Sequence, residues 1–214
     1  MKVLAILSQK GGVGKTTLAT SLAVAAEADG KSVAVIDLDP QATATFWQDT
    51  RGKETPAVIS IQPIRLSPVL KAAAEQGTDL VIIDGAAVQR EIAYDAAAVA
   101  DFVLVPTKPA VFDIKSMSDT IKAVQQHEKP LAIVLNMIAP TGVENTDAFD
   151  AAEVLGVEIC PVTIGNRKAF FRSQGEGLAV QEYEPGGKAA EEIQELYTYT
   201  CIHLNAKEPE EAMA

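Results

Sequence analysis

Eight consecutive residues near the start of the chain constrain its fold more than any other segment: Lys10-Gly11-Gly12-Val13-Gly14-Lys15-Thr16-Thr17. They follow the apolar run at residues 3–7, which has the form of a strand buried on both faces. They lead into residues 16–28, where Ala and Leu recur at helical spacing. A glycine-rich turn between a strand and a helix can curl until its N–H groups point inward. The helix that follows adds its positive N-terminal end, so the turn suits phosphate. Lys15 then reaches toward the outer phosphates and the Thr16 hydroxyl toward Mg²⁺. A glycine turn that binds nothing is the alternative, and the strand, the spacing, the Lys-Thr ending and the helix all weigh against it.

The rest of the chain repeats the strand-then-helix alternation. Strands are predicted at residues 32–36, 58–61, 80–83, 102–105, 131–135 and 158–162. Helices are predicted at 42–49, 67–76 with Ser67 as N-cap, 113–127, 148–155 and 188–204. This alternation means an α/β fold with a doubly wound, mostly parallel sheet. Residues 1–206 read as a single domain, and 207–214 as an acidic, frayed tail. In such sheets ligands sit at the carboxyl ends of the strands.

Two acidic segments fall at such ends. Asp37-Leu38-Asp39-Pro40-Gln41 places two carboxylates at i and i+2, on one side of the strand end. The alternative for this pair is capping of the next helix. Leu80-Val81-Ile82-Ile83-Asp84-Gly85 is an apolar strand closed by an acid, the Walker B form. A carboxylate buried there needs a cation, and Mg²⁺ near Thr16 supplies one.

The loop departs from Gly-x-x-x-x-Gly-Lys-Thr: Gln9 stands at the first position and a second lysine, Lys10, follows. This pattern resembles the deviant Walker A box of the ParA/MinD ATPase family, and the likeness extends over roughly the whole chain. The resemblance implies a P-loop ATPase using ATP and Mg²⁺. Gly11, Gly12, Val13, Gly14, Lys15, Thr16 and Thr17 would hold the nucleotide, and Asn136 would contact the adenine. Lys10 would reach in trans to the nucleotide of a second subunit, and Asp39 would orient the attacking water. Asp37 and Asp84, with Thr16, would hold the metal. Asp37–Gln41 would form a first switch, with Gln41 at the partner subunit, and Gly85-Ala86-Ala87 a second switch. A turn-forming role is the alternative for Asn136.

Within the family, an iron–sulfur branch is excluded, because no cysteine precedes Cys160 and the other is Cys201. These two also give no disulfide framework, so a reducing compartment is expected. A membrane-bound branch ends in a basic amphipathic helix, whereas Glu191, Glu192, Glu195, Glu208, Glu210 and Glu211 crowd this end. No apolar run reaches the roughly 18 residues of a membrane span, and residues 1–8 lack a signal peptide's regions. The expected site is therefore the cytoplasm, and association with the nucleoid is what the resemblance implies. The chain opens on its first strand, as in short plasmid-partition ATPases without an N-terminal DNA-binding domain. That type implies an ATP-dependent homodimer, weak hydrolysis stimulated by a ParB-like or other cargo adaptor, and binding to nonspecific double-stranded DNA. With Lys and Arg totalling 18 against 29 acids, the net charge is −11, so DNA binding requires a local patch. Arg167, Lys168 and Arg172 are the candidates, with Lys115, Lys122 and Lys129 as an accessory stripe; solvated faces are the alternatives. Trp47, the one tryptophan, is expected to anchor core. A metabolic ATP-dependent enzyme on the same fold is the rival reading, and a non-hydrolysing scaffold a second.

Overall fold

Short Val/Ile/Leu runs bounded by turn residues can bury both faces only inside a sheet covered on two sides. The computed structural model describes residues 1–86, 90–141 and 144–206. These runs there become β1 (Lys2–Ile6), β2 (Val33–Asp37), β3 (Ala57–Ser60), β4 (Leu80–Asp84), β5 (Phe102–Thr107), β6 (Leu131–Ile138), β7 (Glu158–Ile159) and β8 (Ile164–Gly165). The strand order is β3-β2-β4-β1-β5-β6-β7, with β8 beside the far end of β6. Every pairing among the described residues is parallel.

The helices are α1 (Lys15–Ala28), α2 (Thr43–Arg51), α3 (Leu66–Glu75), α4 (Arg90–Val99), α5 (Val111–Ser116), α6 (Ser118–Gln125), α7 (Glu144–Glu153), α8 (Lys168–Gly175), α9 (Val180–Tyr183) and α10 (Lys188–Asn205). They cover both faces, and the strand alternation decides which residue goes where. Val3, Ala5, Val81, Ile83, Val103 and Val105 pack with Ile92, Ala96, Ile121 and Val124 on one side. Leu4, Ile6, Ile82, Phe102 and Leu104 pack with Leu18, Leu22, Ile193 and Leu196 on the other. Burying each such Leu, Ile or Val contributes about 1.5–3 kcal/mol.

Trp47 is the expected anchor. It is buried with Val24 and Ala179, its Nε1–H donates to the Leu178 carbonyl at 3.2 Å, and Arg51 lies over its ring. Arg51 in turn pairs with Glu182, which ties α2 to α9.

Several expectations need correction. The helix at 113–127 is two helices, α5 and α6, which meet at Met117. The Ser116 hydroxyl donates to the Asp113 carbonyl and the Ser118 hydroxyl to the Lys115 carbonyl, local bonds that compete with a continuous helix. Lys115 and Lys122 therefore lie on different helices and Lys129 on neither, so they form no single stripe. Ser67 is not an N-cap: a 3₁₀ turn at Pro63–Arg65 runs into α3 at Leu66. The strand at 158–162 stops at Ile159 and β8 resumes at Ile164. Pro161 lies in the gap and has no N–H for a ladder. Helices α4, α8 and α9 had no counterpart in the sequence reading. Ala87, the end of the expected second switch, and the tail at 207–214 lie outside the described residues.

Candidate nucleotide site

The sheet register gathers the site. Ile6, the last residue of β1, pairs with Asp84, and Asp84 pairs with Asp37. The two acids thus sit side by side at the carboxyl edge, directly beside the strand that feeds the loop. Both are buried. Burial pushes the Asp84 carboxyl up to about 7, against the Thr16 hydroxyl bond and with the neighbouring Asp37 charge adding to the rise. Burial also raises Asp37, against its backbone hydrogen bonds.

The loop after Ile6 and the first residue of α1 carry two lysines in different directions. Lys15 is buried, and its Nζ donates to the Lys10 carbonyl at 3.1 Å, which closes the curl. Burial lowers its pKa, while Asp84 and Asp39 pull the other way. Lys10 points outward, its side chain 44% exposed, and its ammonium meets Asp113 Oδ1 at 3.1 Å. Gly14 has φ of 89°, and a Cβ there would collide with the Asn136 amide, so only glycine fits.

Thr16 Oγ1 donates to Asp84 Oδ2 at 2.6 Å. The other oxygen, Asp84 Oδ1, is buried and has no hydrogen-bond partner among the described residues. A hydroxyl and an orphaned carboxylate oxygen form the hard, all-oxygen donor set that Mg²⁺ takes alongside water and phosphate. Among the described residues no group of three or more His, Cys, Asp or Glu could hold a metal unaided. The Thr16 hydroxyl and the Asp84 carboxylate fit Mg²⁺ bound together with a nucleotide, whose phosphates would supply further oxygens.

Asp37 and Asn136 each hold neighbouring backbone. Asp37 Oδ1 accepts the Asp39 N–H, and Oδ2 accepts those of Ala44 and Thr45. It caps the start of α2, the alternative read for this pair, because its strand end faces that helix's free N–H groups. Asn136 lies inside β6 rather than ending a strand. Its Nδ2 donates to the Val13 carbonyl at 2.7 Å, and its Oδ1 accepts the Met137 N–H. Met137 has φ of 58° and marks a bulge in the pairing with β8. The Asn136 amide is thus engaged by the protein's own backbone and holds the loop, and it also lines the cavity beside that loop. Asp39 is partly exposed beside Lys15, with its Oδ1 on the Gln41 N–H; Gln41 itself is exposed.

Beside the loop lies a cavity of about 340 Å³ whose lining includes Gly14, Thr17, Asn136, Met137, Arg167 and Phe171. Its place next to the phosphate loop suits a nucleoside. Sequence reasoning missed the Phe171 wall, because the short apolar pattern of Lys168–Gly175 overlaps a basic run that reads equally well as a loop. Arg167, a candidate for DNA phosphates, has an acidic partner that the sequence did not show. The guanidinium makes a two-pronged ion pair with Glu192 of α10, 25 residues along the chain, so it is neutralised. The sequence looked free of acid up to Glu176, but α10 folds back to supply one. Lys168 and Arg172 remain exposed on α8, and with Lys188 they line an open groove of about 640 Å³.

Residues 4–180 match the CobQ/CobB/MinD/ParA nucleotide binding domain. The chain belongs to this family. Relatives match most of its length. It is 28% identical over 203 residues to Maintenance of carboxysome distribution protein A of Halothiobacillus neapolitanus, covering 90% of this chain and 93% of that one. It is 31% identical to the protein of the same name from Gloeobacter kilaueensis, covering 95% and 94%. The fold resembles the septum site-determining protein MinD of Pyrococcus horikoshii, solved with Mg-ADP, at TM-score 0.76 and 18% identity, covering 93% of this chain and 95% of that one. Family membership makes this a nucleotide-binding protein with the P-loop fold. No helix among the described residues is long and apolar enough to cross a membrane.

Proposed function

We propose that the chain is a Mg²⁺·ATP-dependent dimerising ATPase that positions a cargo, a plasmid or a protein assembly, over DNA with the help of an adaptor protein. The names of the full-length relatives support a positioning role. The observation that carries the reading is the opposed direction of the two loop lysines. Lys15 turns inward to its own site; Lys10 turns outward onto Asp113, a direction that supports contact with a second molecule's phosphates once Asp113 lets go.

In the proposed mechanism, Gly11–Thr17 cradle the phosphates with backbone N–H groups, and Lys15 and Lys10 place charge on them from two sides. Asn136 keeps the loop in shape through Val13. Thr16 and Asp84 would hold Mg²⁺, which would supply charge stabilisation at the phosphate oxygens. Asp37 fixes the start of the first switch, and Asp39 orients the water. A single subunit lacks the second lysine, so ATP shifts the population toward the dimer, and hydrolysis stays slow until the site is complete.

Lys168 and Arg172, joined by Lys188 in place of Arg167, form the surface proposed for DNA phosphates. The test is binding to random-sequence duplex with ATP, with ADP and without nucleotide across a salt series. The expected result is binding with ATP alone. The log-log salt slope should shrink by about 0.9 for each phosphate contact removed in Lys168→Ala, Arg172→Ala and Lys188→Ala. Absence of DNA binding in every state, with ATP still bound, would refute the DNA-based reading and favour a metabolic enzyme or scaffold.

A further inference from the structure

The register that brings Asp84 to the end of β1 on one side brings β5 to it on the other. Ile6 pairs with Leu104, and the Leu7 N–H donates to the Leu104 carbonyl at 2.9 Å. The chain leaving β5 therefore passes beside the phosphate loop. Its first residue beyond the strand is Lys108.

The backbone at Lys108 is fixed. Its carbonyl accepts the Thr107 hydroxyl at 3.3 Å and the Ala110 N–H at 2.8 Å, and Pro109 stiffens the step after it. The side chain is half-buried and its Nζ lies over Gly12. Gly12 has φ of 67°, and the position of a Cβ on it would be 3.8 Å from that nitrogen. The ammonium thus hangs above a turn whose own N–H groups gather anions.

The other two cations of the loop have partners. Lys10 is on Asp113, and Lys15 is on the Lys10 carbonyl and within the field of Asp84 and Asp39. Lys108 makes no ion pair and donates no side-chain hydrogen bond among the described residues. A fixed, half-buried cation over a phosphate loop, without a carboxylate of its own, is complementary to a negatively charged ligand at that loop.

We infer that Lys108 is a third cation of the nucleotide site and contacts the terminal phosphates in its own subunit. This rests on the nucleotide reading above and adds a residue to it. The chemical class of ligand is a nucleoside di- or triphosphate. A monophosphate, whose single phosphate lies nearest the nucleoside, does not reach it.

The test uses the full chain, diluted so that it stays monomeric, with titrations of ATP, ADP and AMP by calorimetry. Lys108→Ala is expected to weaken ATP and ADP roughly ten- to hundredfold, the range for one charge-assisted hydrogen bond. AMP affinity should stay unchanged. Lys108→Arg should recover most of the loss, and the thermal midpoint of nucleotide-free Lys108→Ala should match the parent, which a purely structural role would not allow. Equal affinity of Lys108→Ala and the parent for ATP and ADP overturns the inference. So does a defect seen only in ATP-dependent dimers, which would place the contact in trans, or an equal loss for AMP. Failure of the nucleotide reading itself looks different: the parent chain would bind no ATP, or Lys15→Ala would bind it as well as the parent.

Discussion

Replacing Asp84 with Asn should stabilise the protein when nucleotide and metal are absent, and the gain should depend on pH. The carboxyl ordinarily titrates near 3.9 in an unfolded chain, whereas burial raises it to about 7 in the fold. Between those values the folded state keeps a proton that the unfolded state has lost. Stability therefore falls as pH rises, by about 1.4 kcal/mol per unit, and levels off above pH 7. The protonated acid's advantage is fully present below pH 4 and lost as pH passes 7. The interval of roughly three units sets an upper bound on the order of 4 kcal/mol. Asn removes this slope while its amide oxygen still accepts the Thr16 hydroxyl. Urea unfolding of both forms at pH 5 and pH 8, in chelator, checks it. The variant's advantage should be about 1.5 kcal/mol at pH 5 and larger at pH 8, up to the order of 4 kcal/mol. Addition of Mg²⁺ and ADP should reverse the order at pH 8, because only the parent offers its carboxylate to the metal. Equal stability of the two forms at pH 8, or a less stable variant there, would refute the account of Asp84 as a charge buried for a cation.

Other perturbations test neighbouring parts of the structure. Gly14→Ala forces a left-handed backbone onto a residue with a Cβ and drives it into Asn136, so stability should fall by about 1–2 kcal/mol from strain alone. ATP affinity should fall with it, and calorimetry that finds normal affinity would remove the Asn136 contact from the argument. Asp113→Asn releases Lys10 from its ion pair, so ATP-driven dimers should form at a several-fold lower protein concentration in analytical ultracentrifugation. An unchanged or weakened dimer would mean that Asp113 does not hold Lys10 back. Trp47→Phe leaves the Leu178 carbonyl without its donor and should cost about 1–3 kcal/mol in urea unfolding followed by circular dichroism. No loss would show that α2 is anchored by other contacts.

Much of this protein was legible in its residues. The apolar runs at β1, β4 and β5 are hydrophobic without alternation, which only a doubly covered parallel sheet explains, and that is the sheet observed. The loop from Lys10 to Thr17 is local chemistry: its glycines, lysines and hydroxyls act within a few residues of one another, so their order in the chain is nearly their order in space. Helix α8 was not legible, because its short apolar pattern overlaps a basic run that reads equally well as an exposed loop. The break at Met117 depended on two serine hydroxyls choosing backbone carbonyls over solvent.

Sequence alone, then, determined the sheet, the phosphate loop and the acids at the strand ends, because periodicity and short spacing survive in one dimension. Tertiary structure decided the electrostatic partners. Arg167 has Glu192, Lys10 has Asp113, Asn136 has Val13 and Lys108 lies over Gly12 only once distant segments are packed together. A charge's role depends on what lies within a few ångströms of it, and for these residues that neighbour is up to 123 positions away along the chain.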